Sequence, residues 1–376
     1  MIRVCTELQQ ADDWLARHQG RPPLLVCILG FTETALIPGI SAAGATPADR
    51  RHTAIADAEF LYYGPRGHSA YPLPPLIAGA SPVFISRAVA ENQSIPIQIF
   101  NAGLPLAPNV PHIHLQGSPA ACLSTGQAMS LKQVQLLFQQ GLRWGSQLAI
   151  DYPKRYVVLS ECVVGGTTTA LATLMGLGFA AEEKVNSSHP VCNHQQKKKL
   201  AESGLEQWYQ RQSGGSGGDR LQTEPLELIA AVGDPMQAAA AGMSIALSRT
   251  RGVLLAGGTQ MLAVYALMRA IALQYSLAWK PQNIVVGTTR WVVDDPTGDT
   301  VGLAKVIADV PLLSALIDFS NSHYSQLRAY EQGYVKEGVG AGGCVLAAHL
   351  YQGWQLPQLL QSVESLLAQA TLLQNY

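Results

Sequence analysis

The sequence predicts an α/β fold in which a doubly wound parallel sheet carries helices on both faces. Two observations predict it. Short apolar runs, such as residues 24–30 and 156–160, end in glycine or in a polar turn, and helical patterns lie between them. Strands that alternate with helices form a parallel sheet covered on both sides. Of the 376 residues, 48% are hydrophobic and 14% are charged, so we expect a large buried core.

The apolar runs predict strands at residues 24–30, 95–100, 156–160, 252–256 and 283–287. Apolar periodicity and alanine content predict helices at residues 130–150, 170–177, 226–232, 238–247 and 261–273. Ser130 is the predicted N-cap of the first of these helices, because a serine hydroxyl accepts from the free amides of a first turn.

These elements place a Rossmann-like α/β domain at residues 22–350. We expect residues 1–21 and 351–376, the two chain ends, to form a smaller helical part. Residues 202–220 contain Gly-Gly-Ser-Gly-Gly and lack apolar periodicity, so the sequence predicts a flexible surface loop there.

Composition excludes several classes of partner. The net charge is -1, and the only compact basic run is residues 197–199, so nucleic acid is not expected to be the partner. The six cysteines are scattered without a Cys-x-x-Cys pair, which is typical of reduced thiols in the cytoplasm. The first 20 residues lack the apolar core of a secretion signal. Gln260 and Arg269 interrupt the longest apolar stretch, so a buried strand and helix are expected there and not a membrane span.

Two glycine-rich turns each carry a glutamate. Glu161 is followed by Gly165, Gly166, Thr167 and Thr168, between a predicted strand and a predicted helix. The first amides of a helix are unpaired and point outward, so this turn suits a phosphate, and the threonines add hydroxyl donors.

The second turn is Glu337-Gly338-Val339-Gly340-Ala341-Gly342-Gly343. Neither turn matches the P-loop or the dinucleotide-binding pattern. The alternative is that both are ordinary tight connections in which glycine permits unusual dihedral angles. The repeated pairing of a glutamate with glycines favours a site.

Two polar clusters contain residue types that bind metals. His189, Cys192 and His194 lack a second spaced pair of ligands, so solvated loop histidines are predicted. Three aspartates within residues 294–299 are interpreted as turn chemistry. No metal or other cofactor is therefore expected.

The chain resembles the nicotinate-nucleotide:dimethylbenzimidazole phosphoribosyltransferase family. Residues 161–168 are similar to that family's Glu-Met-Gly-Ile-Gly-Asn-Thr-Thr loop, and residues 337–341 resemble its Glu-Gly-Thr-Gly-Ala. Residues 224–233 resemble its Asp-Pro-Leu-Glu-Val-Leu-Ala-Ala-Val-Gly, and residues 39–42 resemble its Gly-Val-Ser-Ala.

The chain also departs from the family pattern. Gly166 replaces an asparagine, Val163 replaces a glycine, and Ala256 stands where an aspartate is usual. The stretch after Arg290 is longer, and residues 318–323 have no clear counterpart. The resemblance therefore indicates a divergent branch of the family, close to relatives without an assigned activity.

The resemblance implies transfer of a phosphoribosyl group from nicotinate mononucleotide to an aromatic base, 5,6-dimethylbenzimidazole or a related one, for the lower ligand of cobalamin. It implies that Glu337 is the general base, with Glu161 stabilising the ribose or its positive charge. A glutamate desolvated in a closed glycine loop has a raised pKa, which suits a base near neutral pH.

The remaining predicted site residues bind the two substrates. The phosphate is expected to contact the first glycine turn, with further donors from the residues after the last predicted strand and one lysine. The base is expected to contact two residues of the Gly-Ile-Ser-Ala stretch. The predicted set is Gly165, Gly166, Thr167, Thr168, Thr288, Thr289, Arg290 and Lys198 for the phosphate, with Lys197 and Lys199 as alternatives, and Ser41 and Ala42 for the base.

Two other functions stay open. The departures at Gly166 and Ala256 favour a nucleotide-binding or sensor protein without turnover, whereas retention of both glutamates favours catalysis. A transferase that uses another base, such as a purine, is the third possibility.

We also expect a homodimer. Residues 238–247 and 261–273 are apolar and alanine-rich, and the chain has little charge with which to cover them, so they are predicted to pack against a second subunit. The resemblance also implies a homodimer.

Overall fold

The computed structural model describes residues 1–66, 69–76, 78–212, 223–308 and 310–374. Its eight-stranded sheet has the order β1-β8-β7-β6-β5-β2-β3-β4. All neighbours pair in parallel except β1, which runs antiparallel to β8 at one edge. The predicted α/β fold is confirmed. The strands are β1 Ile2–Val4, β2 Pro23–Gly30, β3 Ile97–Gly103, β4 Ile113–His114, β5 Tyr156–Cys162, β6 Val253–Ala256, β7 Ile284–Thr289 and β8 Leu312–Ala315.

Fourteen α-helices occur within the described ranges. They are α1 Leu8–His18, α2 Thr53–Tyr63, α3 Val83–Asn92, α4 Leu131–Asp151, α5 Gly166–Gly176, α6 His194–Gln212, α7 Pro225–Val232, α8 Pro235–Ser248, α9 Thr259–Gln274, α10 Arg290–Val293, α11 Thr300–Ile307, α12 Ser325–Arg328, α13 Ala341–Gln352 and α14 Leu356–Gln374. No described helix is long and apolar enough to cross a membrane.

Alternate strand residues enter two cores on opposite faces of the sheet. Val26 and Ile28 of β2 join the core formed with α4, α5, α7, α8 and α9, whereas Leu25 and Cys27 join the core formed with α2, α3, α13 and α14. Successive side chains of a strand point to opposite faces, so a run that is apolar throughout is buried on both. This accounts for the uninterrupted apolar pattern that predicted the strands.

The alanine-rich helices are covered within the chain. Every residue of α8 is buried, and α8 packs closely on α4. A Cβ added at Gly141 would lie 2.2 Å from the carbonyl oxygen of Ala239, and one at Gly242 would lie 2.3 Å from that of Phe138. Glycine at these positions permits the close approach. Helix α8 therefore needs no second subunit to cover it, and the homodimer stays a prediction.

The structure corrects the predicted loop at residues 202–220. Residues 202–212 continue helix α6, because Ala201, Leu205 and Trp208 recur at helical spacing and are all buried. Residues 213–220 lie outside the described residues. At the N-terminus, where only helical structure was predicted, the chain begins with the edge strand β1. The division into residues 22–350 and a smaller part from the chain ends stays a prediction.

Candidate active site

The carboxyl ends of β5, β6 and β7 meet at one pocket. In parallel α/β sheets this edge is where ligands bind. The pocket has a cavity volume of about 130 Å³, and its wall includes Glu161 near the end of β5 and Glu337 in the turn before α13. The structure thus brings the two predicted glutamates together.

Glu161 is buried, and its Oε2 has no hydrogen-bond partner in the described part of the chain. Burial, followed by the nearby carboxylate of Asp234, raises the pKa of Glu161 to about 8. A glutamate in this state is mostly protonated at neutral pH, and one of its buried oxygens lacks a partner among the described residues.

Glu337, by contrast, accepts several hydrogen bonds. Its Oε2 accepts from Thr288 Oγ1 and from the amide of Thr289, each at 3.0 Å, and from the amide of Gly342 at 3.2 Å. The amide of Gly338 donates to its Oε1 at 3.1 Å. Burial raises the pKa of Glu337 to about 7, although these donors favour the ionised form. Glu337 is therefore held rigidly with a pKa near neutral.

The backbone around Glu337 is strained. Val335, Lys336 and Val339 all have φ between 50° and 66°, a left-handed conformation that costs non-glycine residues of order 1–3 kcal/mol each. Gly340, with φ of 70°, caps α13, and a Cβ there would lie 2.5 Å from the Cβ of Ser160. The second glycine turn is thus pressed against β5 next to Glu161.

The first glycine turn forms another wall of the pocket. Gly165, with φ of 83°, precedes α5, and Gly165, Gly166 and Thr167 line the pocket. Thr168 is fully buried and is not part of the wall that the described residues form. The amide of Gly166 donates to the carbonyl of Val163 at 3.1 Å, so the predicted cradle offers a ligand the backbone of Gly165 and the side chain of Thr167.

A second helix N-terminus, which the sequence analysis missed, faces the same pocket. Gly258, Thr259 and Gln260 begin α9 and line it. Thr259 is buried, and its Oγ1 has no hydrogen-bond partner among the described residues. The N-termini of α5 and α9 therefore converge, and their dipoles favour an anion between them. The glycine pair after β6, at 257–258, was the available signal.

Three predicted phosphate donors are engaged elsewhere. Thr288 and Thr289 donate to Glu337, as described above. The guanidinium of Arg290 bonds to Glu331 and to the carbonyl of Ile317, and it does not line the pocket in the described structure. The residues at the end of β7 therefore orient Glu337 and do not form a second phosphate-binding site.

Lys198 is also not brought to the pocket. Its side chain is 46% exposed and lies 3.8 Å from Glu202, one turn further along α6. Lys197 is buried instead, and its Nζ donates to the carbonyls of Val185 and Asn186 at 2.5 and 2.7 Å. The run of three lysines spans different faces of one helix, so only one of them turns inward.

The lysine that does line the pocket is Lys336, which the sequence analysis missed. It pairs with Asp295, and the two side chains are 2% and 1% exposed. Burial opposes ionisation of Asp295, but the hydrogen bonds from Lys336, the amide of Thr297 and Asn186 hold its pKa below the ordinary value. Asp295 therefore forms a buried ion pair in addition to the predicted turn.

The predicted base contacts Ser41 and Ala42 do line the pocket. Ser188 holds them, since its Oγ lies 3.3 Å from Ser41 Oγ and accepts from the amide of Ala42 at 2.9 Å. A third pocket carboxylate, Asp57, lies in the same wall. Its sequence position carries no signal, because it lies within the largely apolar helix α2 and outside any recognised motif.

The histidine cluster serves loop contacts. His189 Nε2 lies 3.0 Å from the carbonyl of Gly39, and His194 Nε2 lies 2.5 Å from that of Thr297. Asp299 caps α11 by accepting from the amide of Gly302 at 2.8 Å. Among the described residues, no group of three or more His, Cys, Asp or Glu side chains is arranged to hold a metal.

Comparison with known proteins gives a consistent picture. A family model described as a phosphoribosyltransferase matches residues 84–279. The chain is 60% identical to a UPF0284 protein of Nostoc sp., over 97% of this chain and 98% of that one. It is also 60% identical to a UPF0284 protein of Cyanothece sp., over 97% and 96%.

Solved structures share the fold. CobT from Thermus thermophilus superposes with a TM-score of 0.59 and 18% identity, covering 96% of this chain and 90% of that one. A nicotinate-nucleotide-dimethylbenzimidazole phosphoribosyltransferase from the same organism has a TM-score of 0.55 and 17% identity, covering 96% and 89%. The family inferred from the motifs is confirmed: the chain belongs to this phosphoribosyltransferase family, in a divergent branch with the UPF0284 proteins, and is a pentosyltransferase.

Proposed function

We propose that the chain transfers the phosphoribosyl group of nicotinate mononucleotide to an aromatic base of the 5,6-dimethylbenzimidazole type. The product would be an α-ribazole-phosphate-type nucleotide for the lower ligand of cobalamin. One observation carries the proposal: two glutamates with raised pKa values face one pocket beside two helix N-termini.

The phosphate of the donor binds between the N-termini of α5 and α9. The amide of Gly165, together with the hydroxyls of Thr167 and Thr259, donates to it. Backbone amides and hydroxyls at helix N-termini stabilise a phosphate without a lysine. The charge of Lys336, partly balanced by Asp295, adds a positive potential on the same wall.

Both glutamates act in the chemical step. A ring nitrogen of the base attacks the anomeric carbon, and the bond to nicotinate breaks with its electron pair returning to the cationic ring nitrogen. Glu337 accepts the N–H proton of the base, and its pKa of about 7 suits proton transfer near neutral pH. Glu161, mostly protonated at neutral pH, bonds the ribose hydroxyls through its unpaired oxygen.

Release of nicotinate tests the proposal. Purified protein is incubated with nicotinate mononucleotide and with dimethylbenzimidazole, benzimidazole or adenine, and the nucleotide product is identified by mass. Base-dependent release with the benzimidazoles supports the proposal. Tight donor binding without release for any base would favour the sensor alternative, and release with adenine alone would favour the purine transferase.

We also propose that the protein acts in the cytoplasm as a homodimer in which each chain completes its partner's pocket. The resemblance to the family motivates the dimer, since the apolar helices are covered within one chain. Light scattering at micromolar concentration is the direct check, and a monomer that stays active on dilution would contradict it.

A further inference from the structure

The pocket contains a third carboxylate that the proposed reaction does not use. Asp57 of α2 lines the pocket and is buried. Its Oδ1 accepts from Ser81 Oγ at 2.7 Å, and its Oδ2 accepts from Cys162 Sγ at 3.4 Å. Burial raises the pKa of Asp57 to about 6, so the group is mostly ionised at neutral pH and acts as an acceptor.

Transfer of the phosphoribosyl group releases one proton from the base, and Glu337 is the group proposed to accept that proton. Asp57 is held by other residues than those that hold Glu337. Its carboxylate accepts from Ser81 and from Cys162, the residue that follows Glu161. A carboxylate has about four acceptor positions. The two contacts from Ser81 and Cys162 leave room for a donor from a ligand.

The pocket that Asp57 lines is partly apolar. Apolar residues form much of this wall, namely Ala42, Ala43, Pro74, Leu76, Pro82, Val335 and Val339. Pockets of this kind bind a ring through apolar contact and use a few polar groups to select its orientation and substituents. Asp57 is the acidic group set among these apolar residues.

We propose that Asp57 makes the enzyme select acceptor bases that carry a hydrogen-bond donor, an amino or hydroxyl group, on the ring. This inference rests on the proposed function and narrows its acceptor class to benzimidazole-type bases with a ring hydroxyl or amino group, so that 5,6-dimethylbenzimidazole itself should be a poorer acceptor than these. A donor group on the base would satisfy a free acceptor position of Asp57 while the ring packs against the apolar wall.

A methyl group at the same ring position would remove water from Asp57 without replacing its hydrogen bond. Sites built to bond a hydroxyl or amino group reject an analogue that lacks it by up to about 10⁴–10⁵-fold. Because Ser81 and Cys162 already donate to Asp57, we expect a smaller preference, about 10–100-fold, over the methyl analogue.

Acceptors of matched size provide the test: 5-hydroxybenzimidazole, 5-aminobenzimidazole and 5-methylbenzimidazole. The kcat/KM for each is measured with saturating nicotinate mononucleotide, and the equilibrium binding of each base is measured by calorimetry. The hydroxyl and amino compounds distinguish the two kinds of donor. We expect one or both to exceed the methyl compound by at least about tenfold.

Two variants of Asp57 decide the matter. In Asp57→Ala, the kcat/KM of the hydroxyl or amino compound divided by that of the methyl compound should fall to near one. Asp57→Asn keeps the shape of the side chain and should also reduce this ratio. It serves as the test if the alanine variant fails to fold. Asp12→Asn, an exposed carboxylate on α1, is the control and should keep the wild-type ratio.

The two proposals fail differently. Equal binding and equal turnover of the three bases by the wild type, or a ratio unchanged in both Asp57 variants, would overturn the inference even if transfer is efficient. A binding preference that depends on Asp57, in a protein that releases no nicotinate, would support the inference and overturn the proposed function.

Discussion

The hydroxyl of Thr288 donates to the carboxylate of Glu337, with 3.0 Å between Thr288 Oγ1 and Glu337 Oε2. Thr289 and the N-terminus of α13 add amide donors to the same carboxylate. Residues that the sequence predicted as phosphate ligands therefore orient the proposed general base. The active site divides into a wall that holds Glu337 and a wall, at α5 and α9, that offers unpaired donors.

The first prediction concerns Glu337. Glu337→Gln keeps the shape and several of the hydrogen bonds but removes the proton acceptor, so the chemical step should slow by about 10²–10⁴-fold while donor binding changes little. Single-turnover release of nicotinate measures the step, and calorimetry measures binding. Near wild-type turnover would remove Glu337 from the mechanism.

The second prediction concerns the donor to that base. Thr288→Val removes a hydrogen bond that favours the ionised form of Glu337, so its pKa should rise further, by about one unit. The acid limb of the pH profile of kcat should then move to higher pH. Thr6→Val, whose buried hydroxyl donates to the carbonyl of Val310 at 2.5 Å and does not line the pocket of the described structure, is the matched control. An unshifted limb would mean that Glu337 does not set it.

The third prediction separates the hydroxyls near the phosphate. Thr259→Val should weaken the binding of nicotinate mononucleotide by roughly 1.5–3 kcal/mol, the value of a hydrogen bond to a charged group. Thr168→Val should have little effect, since Thr168 does not line the pocket in the described structure. Equal losses in a calorimetric titration would contradict the phosphate position.

Gly165 gives a backbone test of the same site. Gly165→Val forces a branched residue to φ of 83°, with its Cβ 3.2 Å from the amide of Ala35, and it blocks the approach to the α5 amides. Donor binding should be lost. Gly178→Val, which has a similar φ of 89° in open space, controls for strain alone. Equal binding by both variants would leave the turn as a plain connection.

The fourth prediction is a pH dependence of stability. Glu161 has a folded-state pKa of about 8 against an ordinary 4.5, so the folded protein binds the extra proton. The stability that this proton contributes is complete below pH 4.5 and is lost as the pH rises to about 8. Glu161→Gln removes this loss. The free energy of unfolding of this variant at pH 8 should therefore exceed that of the wild type by roughly 3–5 kcal/mol.

Denaturant unfolding at pH 5 and pH 8 measures the effect of Glu161→Gln. The exposed Glu206 of α6 provides the control, since Glu206→Gln should shift stability by less than about 0.5 kcal/mol at either pH. If Glu161→Gln and the wild type lose the same stability between the two pH values, Glu161 is ionised at neutral pH in the folded protein.

The fifth prediction concerns the buried ion pair. Lys336→Met leaves Asp295 buried without its countercharge and should cost about 3–5 kcal/mol in the free energy of unfolding, part of which Asp295→Asn should restore in the double variant. Lys198→Met removes an exposed pair and should cost less than about 1 kcal/mol, without weakening donor binding. Similar losses for both lysines would contradict the buried role of Lys336.

The sequence predicted much of the framework because local patterns carry it. Ser130 caps α4, and its hydroxyl accepts from the amide of Gln133 at 3.2 Å. The strand before Glu161 and the helix after Gly165 were both predicted. Buried parallel strands and helix caps are encoded within a few residues, so periodicity and turn chemistry reveal them.

The missed helix α6 shows the limit of this reasoning. Its mean composition is polar, and the glycine-rich run that follows it suggested a loop. Three buried residues, Ala201, Leu205 and Trp208, pack against neighbouring elements and hold the last turns in place. Most helix stability in proteins comes from such packing and not from propensity.

By itself, the sequence determined the α/β class, the family and the two glutamate turns, because each is written in contiguous residues. Only the tertiary structure decided which side chains serve those turns. Thr288 reaches Glu337 across 49 positions, and Lys336 reaches Asp295 across 41. Such pairings cannot be read from one sequence, because burial in the assembled sheet decides which polar groups must find partners and which remain open to a ligand.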